Sequence, residues 1–198
     1  MKKELWYLFI FIALILSFLY DKQIIFWITN NRILLLNDTF TWISFFGSAL
    51  MIFIVSSSLF MWEEKKREWI PILWSGFLIA IIISWIIKFI AMRPRPEIIL
   101  GITTLAKALG SSFPSAHTAA VFATLPILDK EFPMFKWFWI PLAIIIAFSR
   151  MYVGVHFLSD IIAGGLIGFI SSSFIVHLEE KYGFFKKWHS TKRSNKKH

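Results

Sequence analysis

Three ionisable residues, Arg150, His156 and Asp160, lie within eleven positions of one another between two apolar runs. Each of these side chains is costly to place in an apolar setting unless it has a partner or a function. His156 and Asp160 are four positions apart, so on one helix face the carboxylate can accept the proton of one imidazole nitrogen and leave the other nitrogen free. A neutral, oriented imidazole of this kind can attack phosphorus as a nucleophile.

More basic residues stand at the ends of other apolar segments. Lys88, Arg93 and Arg95 close one segment, and His117 lies at the start of another. Several cations without balancing carboxylates favour an anion, and Arg together with Lys is the set that binds phosphate oxygens. The start of a helix adds backbone N–H groups and the positive end of its dipole. The residue types therefore predict a site for a phosphoryl group, with His117 as the acid.

A metal site is the main chemical alternative for these residues. Mg and Ca sites need several oxygen ligands, whereas Asp160 is the one acidic residue that falls within an apolar span near the cluster. Two His and one Asp could hold Zn, but the neighbouring Lys and Arg side chains would repel it. The sequence therefore predicts no metal and no other cofactor. The absence of Cys also excludes thiolate ligands and cysteine nucleophiles.

The elements that must position these residues are membrane-spanning helices. Hydrophobic residues make up 57% of the 198-residue chain, and charged residues make up only 17%, against about 25% in soluble domains. The net charge of +9 comes from Lys and Arg clustered between apolar runs and in the C-terminal tail. Basic residues placed in this way orient a membrane protein, so nucleic acid is not expected as a partner.

The predicted fold is all-α, with six transmembrane helices and an amphipathic interfacial helix between the first two spans. Residues 21–39 alternate apolar and polar clusters, which is typical of an interfacial segment. Pro94 and Pro96 end the third span, and Pro114 suits the first position of the fourth. The spans cover about 5–20, 40–62, 69–92, 114–128, 137–152 and 155–177.

The distribution of basic residues predicts the orientation. Fourteen of the 21 Lys and Arg residues lie on the side that holds both termini and the two short loops. Both termini are therefore expected in the cytoplasm, with the ionisable cluster facing the outer side of the cell membrane. One domain is expected over residues 1–187, followed by a basic, disordered cytoplasmic tail over 188–198.

Three segments together resemble the signature motifs of the type 2 phosphatidic acid phosphatase (PAP2) superfamily. Their order, internal spacing and placement at helix ends all match. The segments are Lys88-x6-Arg95-Pro96, Pro114-Ser115-Ala116-His117 and Ser149-Arg150-x5-His156-x3-Asp160.

The resemblance implies a six-helix, metal-independent lipid phosphatase. By similarity, His156 attacks phosphorus to give a phosphohistidine, Asp160 orients His156, and His117 protonates the leaving oxygen and then activates water. The phosphate oxygens would be held by Lys88, Arg95, Arg150, Ser115 and the Ala116 amide, with Arg93 and Ser149 as auxiliary residues.

One position departs from the family pattern. The second motif usually reads Pro-Ser-Gly-His, and Ala116 here replaces the glycine. Alanine keeps the backbone N–H but loses the freedom to adopt a positive φ. The phosphate pocket is therefore unchanged only if the backbone at this position suits an L residue.

The expected substrate is a lipid phosphate or diphosphate. Family similarity suggests undecaprenyl diphosphate, phosphatidic acid or phosphatidylglycerophosphate, and the sequence does not choose among them or indicate an oligomeric state. Three alternatives stay open: a vanadate-dependent haloperoxidase-like oxidoreductase, a non-catalytic lipid-phosphate binding or transport protein, and a phosphotransferase. The haloperoxidase relatives are soluble, and binding alone needs the cations but no oriented nucleophile.

Overall fold

The computed structural model describes residues 2–185, and all regular secondary structure in that range is helical, which confirms the all-α prediction. The predicted tail over 188–198 lies outside the described residues. The α-helices are α1 (Lys2–Asn30), α2 (Leu34–Phe46), α3 (Ala49–Trp62), α4 (Ile70–Ala91), α5 (Pro96–Leu100), α6 (Ala116–Glu131), α7 (Lys136–Tyr152) and α8 (Leu158–Tyr182), and the segments Glu64–Trp69 and Pro133–Phe135 are 3₁₀ helices.

Several helical segments are long and apolar enough to cross a membrane. In the described part of the chain four qualify: Phe11–Asn30, Glu64–Leu100, Pro133–Tyr152 and Leu158–Tyr182. The pair α2 and α3 passes the same test as a fifth, but is bent by 65°. The chain is therefore an integral membrane protein, and the predicted third, fifth and sixth spans correspond to α4, α7 and α8.

The structure corrects the first span and the interfacial helix. The sequence predicts a span over 5–20 and a separate interfacial helix within 21–39, but α1 continues without a break through Asn30. Asp21, which makes the sequence look too polar to continue the span, is only 1% exposed. It is tolerated within α1 because groups from other elements hydrogen-bond its carboxylate.

Two further predicted spans also differ. The apolar run over 40–62 is broken between α2 and α3, where the Ser48 hydroxyl accepts the Met51 N–H at 3.4 Å and caps α3. The fourth predicted span corresponds to α6, which has 16 residues and is not among the segments that qualify by length. Six complete spans are therefore not found in the described residues.

Small residues let α8 pack closely on its neighbours. A β-carbon at Gly164 or Gly168 would overlap the carbonyl oxygens of Ser115 and Ala119 on the α6 side of the contact. At Gly76 of α4, a β-carbon would lie 2.9 Å from the Ser172 hydroxyl of α8. Because small residues allow helix backbones to approach in a membrane, α4, α6 and α8 form the centre of the bundle.

Candidate active site

A cavity of about 510 Å³ lies at the end of the bundle where α4 ends and α6 and α8 begin. The described residues that line it include basic and hydroxyl side chains but no Asp or Glu, so its wall favours an anion. Six residues that the sequence predicts for the site line this one cavity: Lys88, Arg95, Ala116, His117, Arg150 and His156.

His156 lies in the connection between α7 and α8, where it is 2% exposed. Its Nδ1 is 3.3 Å from Oδ2 of Asp160, and the same oxygen accepts the Phe157 N–H at 2.8 Å and the Ser112 hydroxyl. Burial lowers the pKa of His156 to about 4, and this outweighs the nearby Asp160 carboxylate, which raises it. The imidazole is therefore neutral at pH 7, and with its proton on Nδ1 it donates to Asp160 and leaves Nε2 free.

The contact between these two residues differs in one respect from the predicted helix-face pair. Helix α8 begins at Leu158, so His156 precedes it. Asp160 lies in the first turn and reaches back to the connection, as a carboxylate does when it caps a helix N-terminus. The four-residue spacing therefore brings the two side chains together through a helix cap.

Ser115 caps α6, which begins at Ala116 and not at Pro114 as the sequence predicts. The Ser115 hydroxyl accepts the Thr118 N–H at 3.4 Å, and the Ser115 N–H donates to the Asp160 carbonyl at 2.9 Å. Ser115 is fully buried and is not among the cavity-lining residues. It joins the start of α6 to α8 instead of facing the space where a phosphate would lie.

Ala116 and His117 line the cavity from the first turn of α6. Met92 is the one non-glycine residue with a positive φ in the described range, so Ala116 has a backbone conformation that any L residue can adopt. The replacement of the usual glycine therefore introduces no backbone strain. The N–H groups of Ala116 and His117 lack intrahelical acceptors, so they can donate to an anion in the cavity.

Arg150 is the cavity cation with the clearest need for a ligand. Its side chain is buried, at 4% exposed, and its Nη1 donates to the Ser44 hydroxyl. Its Nε has no hydrogen-bond partner. A buried N–H without an acceptor is unfavourable, so the geometry of Arg150 favours an anion that supplies one.

Lys88 and Arg95 hold backbone carbonyls around the cavity. Lys88 Nζ donates to the Ser111 carbonyl at 2.6 Å, and Arg95 donates to the carbonyls of Leu109 and Val155 at 2.8 Å each. Arg95 also donates to the carbonyls of Gly110 at 2.9 Å and Ser111 at 3.4 Å, which lie with Leu109 in the connection before α6. An ammonium has three N–H groups and a guanidinium has five. Each side chain therefore shapes the connection before α6 and still keeps a donor for a phosphate oxygen.

The two predicted auxiliary residues do not line the cavity. Arg93 donates to Oδ1 of Asp160 at 2.8 Å and to Oδ2 of Asp21 at 2.7 Å. The Ser149 hydroxyl donates to the Ile146 carbonyl within α7 at 2.6 Å. Arg93 therefore contacts the site from behind Asp160, whereas Ser149 is not brought to it.

Sequence reasoning missed three residues that bear on the site. Asp21 is joined to Asp160 through Arg93, and Lys107 and Ser44 belong to the cavity wall. The signal for Asp21 was present, because an acid that interrupts an apolar helix needs a partner. Ser44 carries no such signal, since a serine within an apolar run is common in membrane helices.

Comparison with known proteins agrees with this architecture. Residues 69–183 match the family model of the PAP2 superfamily. The undecaprenyl-diphosphatase of Sulfolobus acidocaldarius is 31% identical over 157 residues, which cover 77% of this chain and 75% of that protein. The phosphatidylglycerophosphatase B of Bacillus subtilis is 24% identical over 172 residues, which cover 76% of this chain and 79% of that protein.

A solved structure shares the fold. The crystal structure of Aquifex aeolicus LpxE superimposes with a TM-score of 0.71 at 28% identity, covering 79% of this chain and 94% of that one. The family match spans more than half of the chain and includes all three motif segments. This protein therefore belongs to the PAP2 superfamily, and it is an integral-membrane phosphatase of that family.

Proposed function

We propose that this protein hydrolyses a lipid phosphate or diphosphate without a metal, through a phosphohistidine on His156, at the outer face of the membrane. The observation that carries the proposal is the neutral His156 imidazole, held by Asp160 at the wall of a cavity lined by cations. Such a cavity attracts an anionic phosphoryl group and presents a nucleophile to it. We also propose that residues 1–187 form one domain, and the hydrogen bonds of Asp21 on α1 with Arg93 and Ser159 support this.

The proposed reaction has two steps. In the first, Nε2 of His156 forms a bond to phosphorus and the bond from phosphorus to the leaving oxygen breaks. His117, which becomes protonated when the bound phosphoryl anion offsets the surrounding cations, gives that oxygen a proton. In the second, His117 takes a proton from water as the water attacks the phosphohistidine, which releases phosphate and restores His156. Arg150, Lys88 and Arg95 stabilise the charge that develops on the phosphoryl oxygens, and the donor that each keeps free supports this role.

The relatives guide the choice of substrates. One is named an undecaprenyl-diphosphatase and another a phosphatidylglycerophosphatase. We therefore propose a lipid with a phosphate or diphosphate head group, held by the cavity at the phosphoryl end while its apolar chain stays in the membrane. Undecaprenyl diphosphate, phosphatidic acid and phosphatidylglycerophosphate are the substrates to compare.

The first experiment measures phosphate release from these three lipids by the purified protein in detergent with EDTA. Wild type is compared with His156→Ala, and His177→Ala is the matched control because His177 is an exposed histidine in α8. We expect turnover to survive EDTA and to be lost in His156→Ala by at least about 1,000-fold, since the nucleophile is removed. His177→Ala should equal wild type.

The outcomes separate the alternatives. Equal release by wild type and His156→Ala would overturn the proposal. Binding of vanadate without any turnover would favour a lipid-phosphate binding protein, and bromide oxidation with added vanadate would favour the haloperoxidase-like activity. Phosphate that appears on an added alcohol and not in water would identify a phosphotransferase.

The orientation can be tested by cysteine labelling, because the chain has no native Cys. Lys107 is an exposed residue of the cavity wall, and Lys65 is an exposed residue of the 3₁₀ helix Glu64–Trp69. With a membrane-impermeant maleimide on intact cells, we expect labelling of Lys107→Cys, and labelling of Lys65→Cys only after permeabilisation. The reverse pattern would contradict an outward-facing site.

A further inference from the structure

Two buried carboxylates share one arginine behind the cavity. Asp21 is 1% exposed and Asp160 is 0% exposed. Arg93 Nη2 donates to Asp21 Oδ2 at 2.7 Å, and Arg93 Nη1 donates to Asp160 Oδ1 at 2.8 Å. Helix α1, which carries none of the family motifs, is thereby connected to the carboxylate that contacts His156.

The two oxygens of Asp160 have separate partners. Oδ2 faces the His156 Nδ1, the Phe157 N–H and the Ser112 hydroxyl, whereas Oδ1 faces Arg93. Arg93 therefore fixes the rotation of the carboxylate group about its own axis. Without it, Oδ1 would lose its charged partner in a buried setting, and the group would gain by turning toward other donors.

Asp21 in turn fixes Arg93 and the start of α8. Its Oδ1 accepts the Ser159 N–H at 2.9 Å, and its Oδ2 accepts both Arg93 and the Ser159 hydroxyl. The first N–H groups of a helix have no intrahelical partner, so Asp21 caps α8 from another helix. The Arg93 guanidinium also lies 4.2 Å from the centre of the Phe157 ring. Phe157 is the residue that follows His156 in the chain.

We propose that Asp21 and Arg93 are positioning residues, which hold Asp160 so that His156 keeps its proton on Nδ1 and its Nε2 free. This inference rests on the proposed role of His156. Neither Asp21 nor Arg93 is among the residues that line the cavity, so they act through Asp160 and not on substrate. The contribution of α1 to the reaction is then the orientation of the nucleophile.

The test removes the ion pair without changing net charge. Arg93→Gln alone would leave two buried carboxylates without their shared cation, so the main variant is the double substitution Asp21→Asn with Arg93→Gln. The control is Asp129→Asn with Lys136→Gln, which removes an exposed 3.0 Å ion pair at the other end of the bundle. We expect kcat of the main variant to fall by about 10–100-fold with KM within about threefold, because the geometry of the nucleophile is lost and substrate contacts remain.

A second readout does not depend on turnover. Protein labelled with ¹⁵N-histidine reports which imidazole nitrogen carries the proton, and the His156 signal is assigned by its absence in His156→Ala. We expect Nδ1-protonated His156 in wild type and in the control, and a mixture of tautomers in the main variant. If only the proposed function were wrong, wild type would release no phosphate, but the His156 tautomer would still differ between wild type and the main variant.

Three results would overturn the inference. One is a folded main variant with wild-type kcat and an unchanged His156 tautomer. Another is a loss of activity that only follows the loss of folded protein, seen as a lower thermal midpoint with a wild-type kcat per folded molecule. The third is a rise in KM at constant kcat, which would assign Arg93 to the substrate. The single variant Arg93→Lys, which keeps the charge and leaves Asp21 intact, is expected to have a higher kcat than the main variant.

Discussion

The backbone of Gly164 on α8 touches the carbonyl of Ser115 so closely that a β-carbon on Gly164 would overlap that oxygen. Ser115 caps α6 and donates its N–H to the Asp160 carbonyl at 2.9 Å. This contact therefore sets the distance between the helix that carries His117 and the helix start that carries Asp160. The spacing between the proposed acid His117 and the proposed nucleophile His156 therefore depends on Gly164, which lies outside the three motifs.

Gly164→Ala is predicted to impair both stability and turnover. The added methyl group must displace backbone, so we expect a loss of about 1–3 kcal/mol in the free energy of unfolding. The matched control is Gly165→Ala, because a β-carbon there would meet the Phe122 ring at 3.4 Å, which is ordinary contact. Thermal unfolding and phosphate release in detergent measure both effects. Equal behaviour of the two variants would show that α6 can shift without consequence.

Ala116→Gly restores the usual family residue and is predicted to leave turnover within about twofold of wild type, because Ala116 already has an unstrained backbone. Stability should fall by about 0.5–1 kcal/mol, since glycine loses more conformational freedom on folding. Kinetics and thermal unfolding of the variant check both statements. A large gain in kcat would mean that the methyl group narrows the phosphate pocket.

The sequence predicts the residues that meet at the cavity better than it predicts the helices that bring them there. Spacing within the third motif is local, so the contact between His156 and Asp160 follows from positions four apart. The first motif is also local, since the helix that carries Lys88 ends at Ala91, shortly before Pro94, and Pro96 begins α5. These features need only short-range spacing, a helix cap and proline chemistry, which a sequence displays directly.

The remaining features depend on tertiary partners that no local pattern shows. Asp21 looks like the end of a span because its polarity is visible, whereas Arg93 and Ser159, which make its burial favourable, are 72 and 138 positions away. The break before α3 likewise depends on Ser48, whose hydroxyl caps a helix inside an apolar run. Hydropathy measures transfer to the membrane and is insensitive to both effects.

Lys107 is predicted to favour diphosphate over monophosphate substrates. It is an exposed cation on the cavity wall outside the three motifs, and a diphosphate has a second anionic group that can reach it. In Lys107→Ala we expect KM to rise about tenfold for a lipid diphosphate and by less than about twofold for the monophosphate of the same lipid.

Lys22→Ala provides the control for net charge, because Lys22 is an exposed cation on α1. It should change KM for neither lipid. Equal increases in KM for both lipids in Lys107→Ala would indicate a general electrostatic attraction and not a contact with the second phosphate.

The neutral state of His156 makes stability depend on pH in a defined direction. Its pKa is lowered by burial from 6.5 to about 4, so between these values the unfolded chain binds the proton more readily than the folded protein. The free energy of unfolding is therefore unaffected by His156 above pH 6.5 and falls as the pH decreases from 6.5 to about 4. Relative to His156→Gln, which cannot titrate, wild type should lose about 2–3 kcal/mol of unfolding free energy between pH 7 and pH 4.5. Thermal unfolding of both proteins in one detergent measures this difference, and parallel curves would mean that His156 titrates as it does in the unfolded chain.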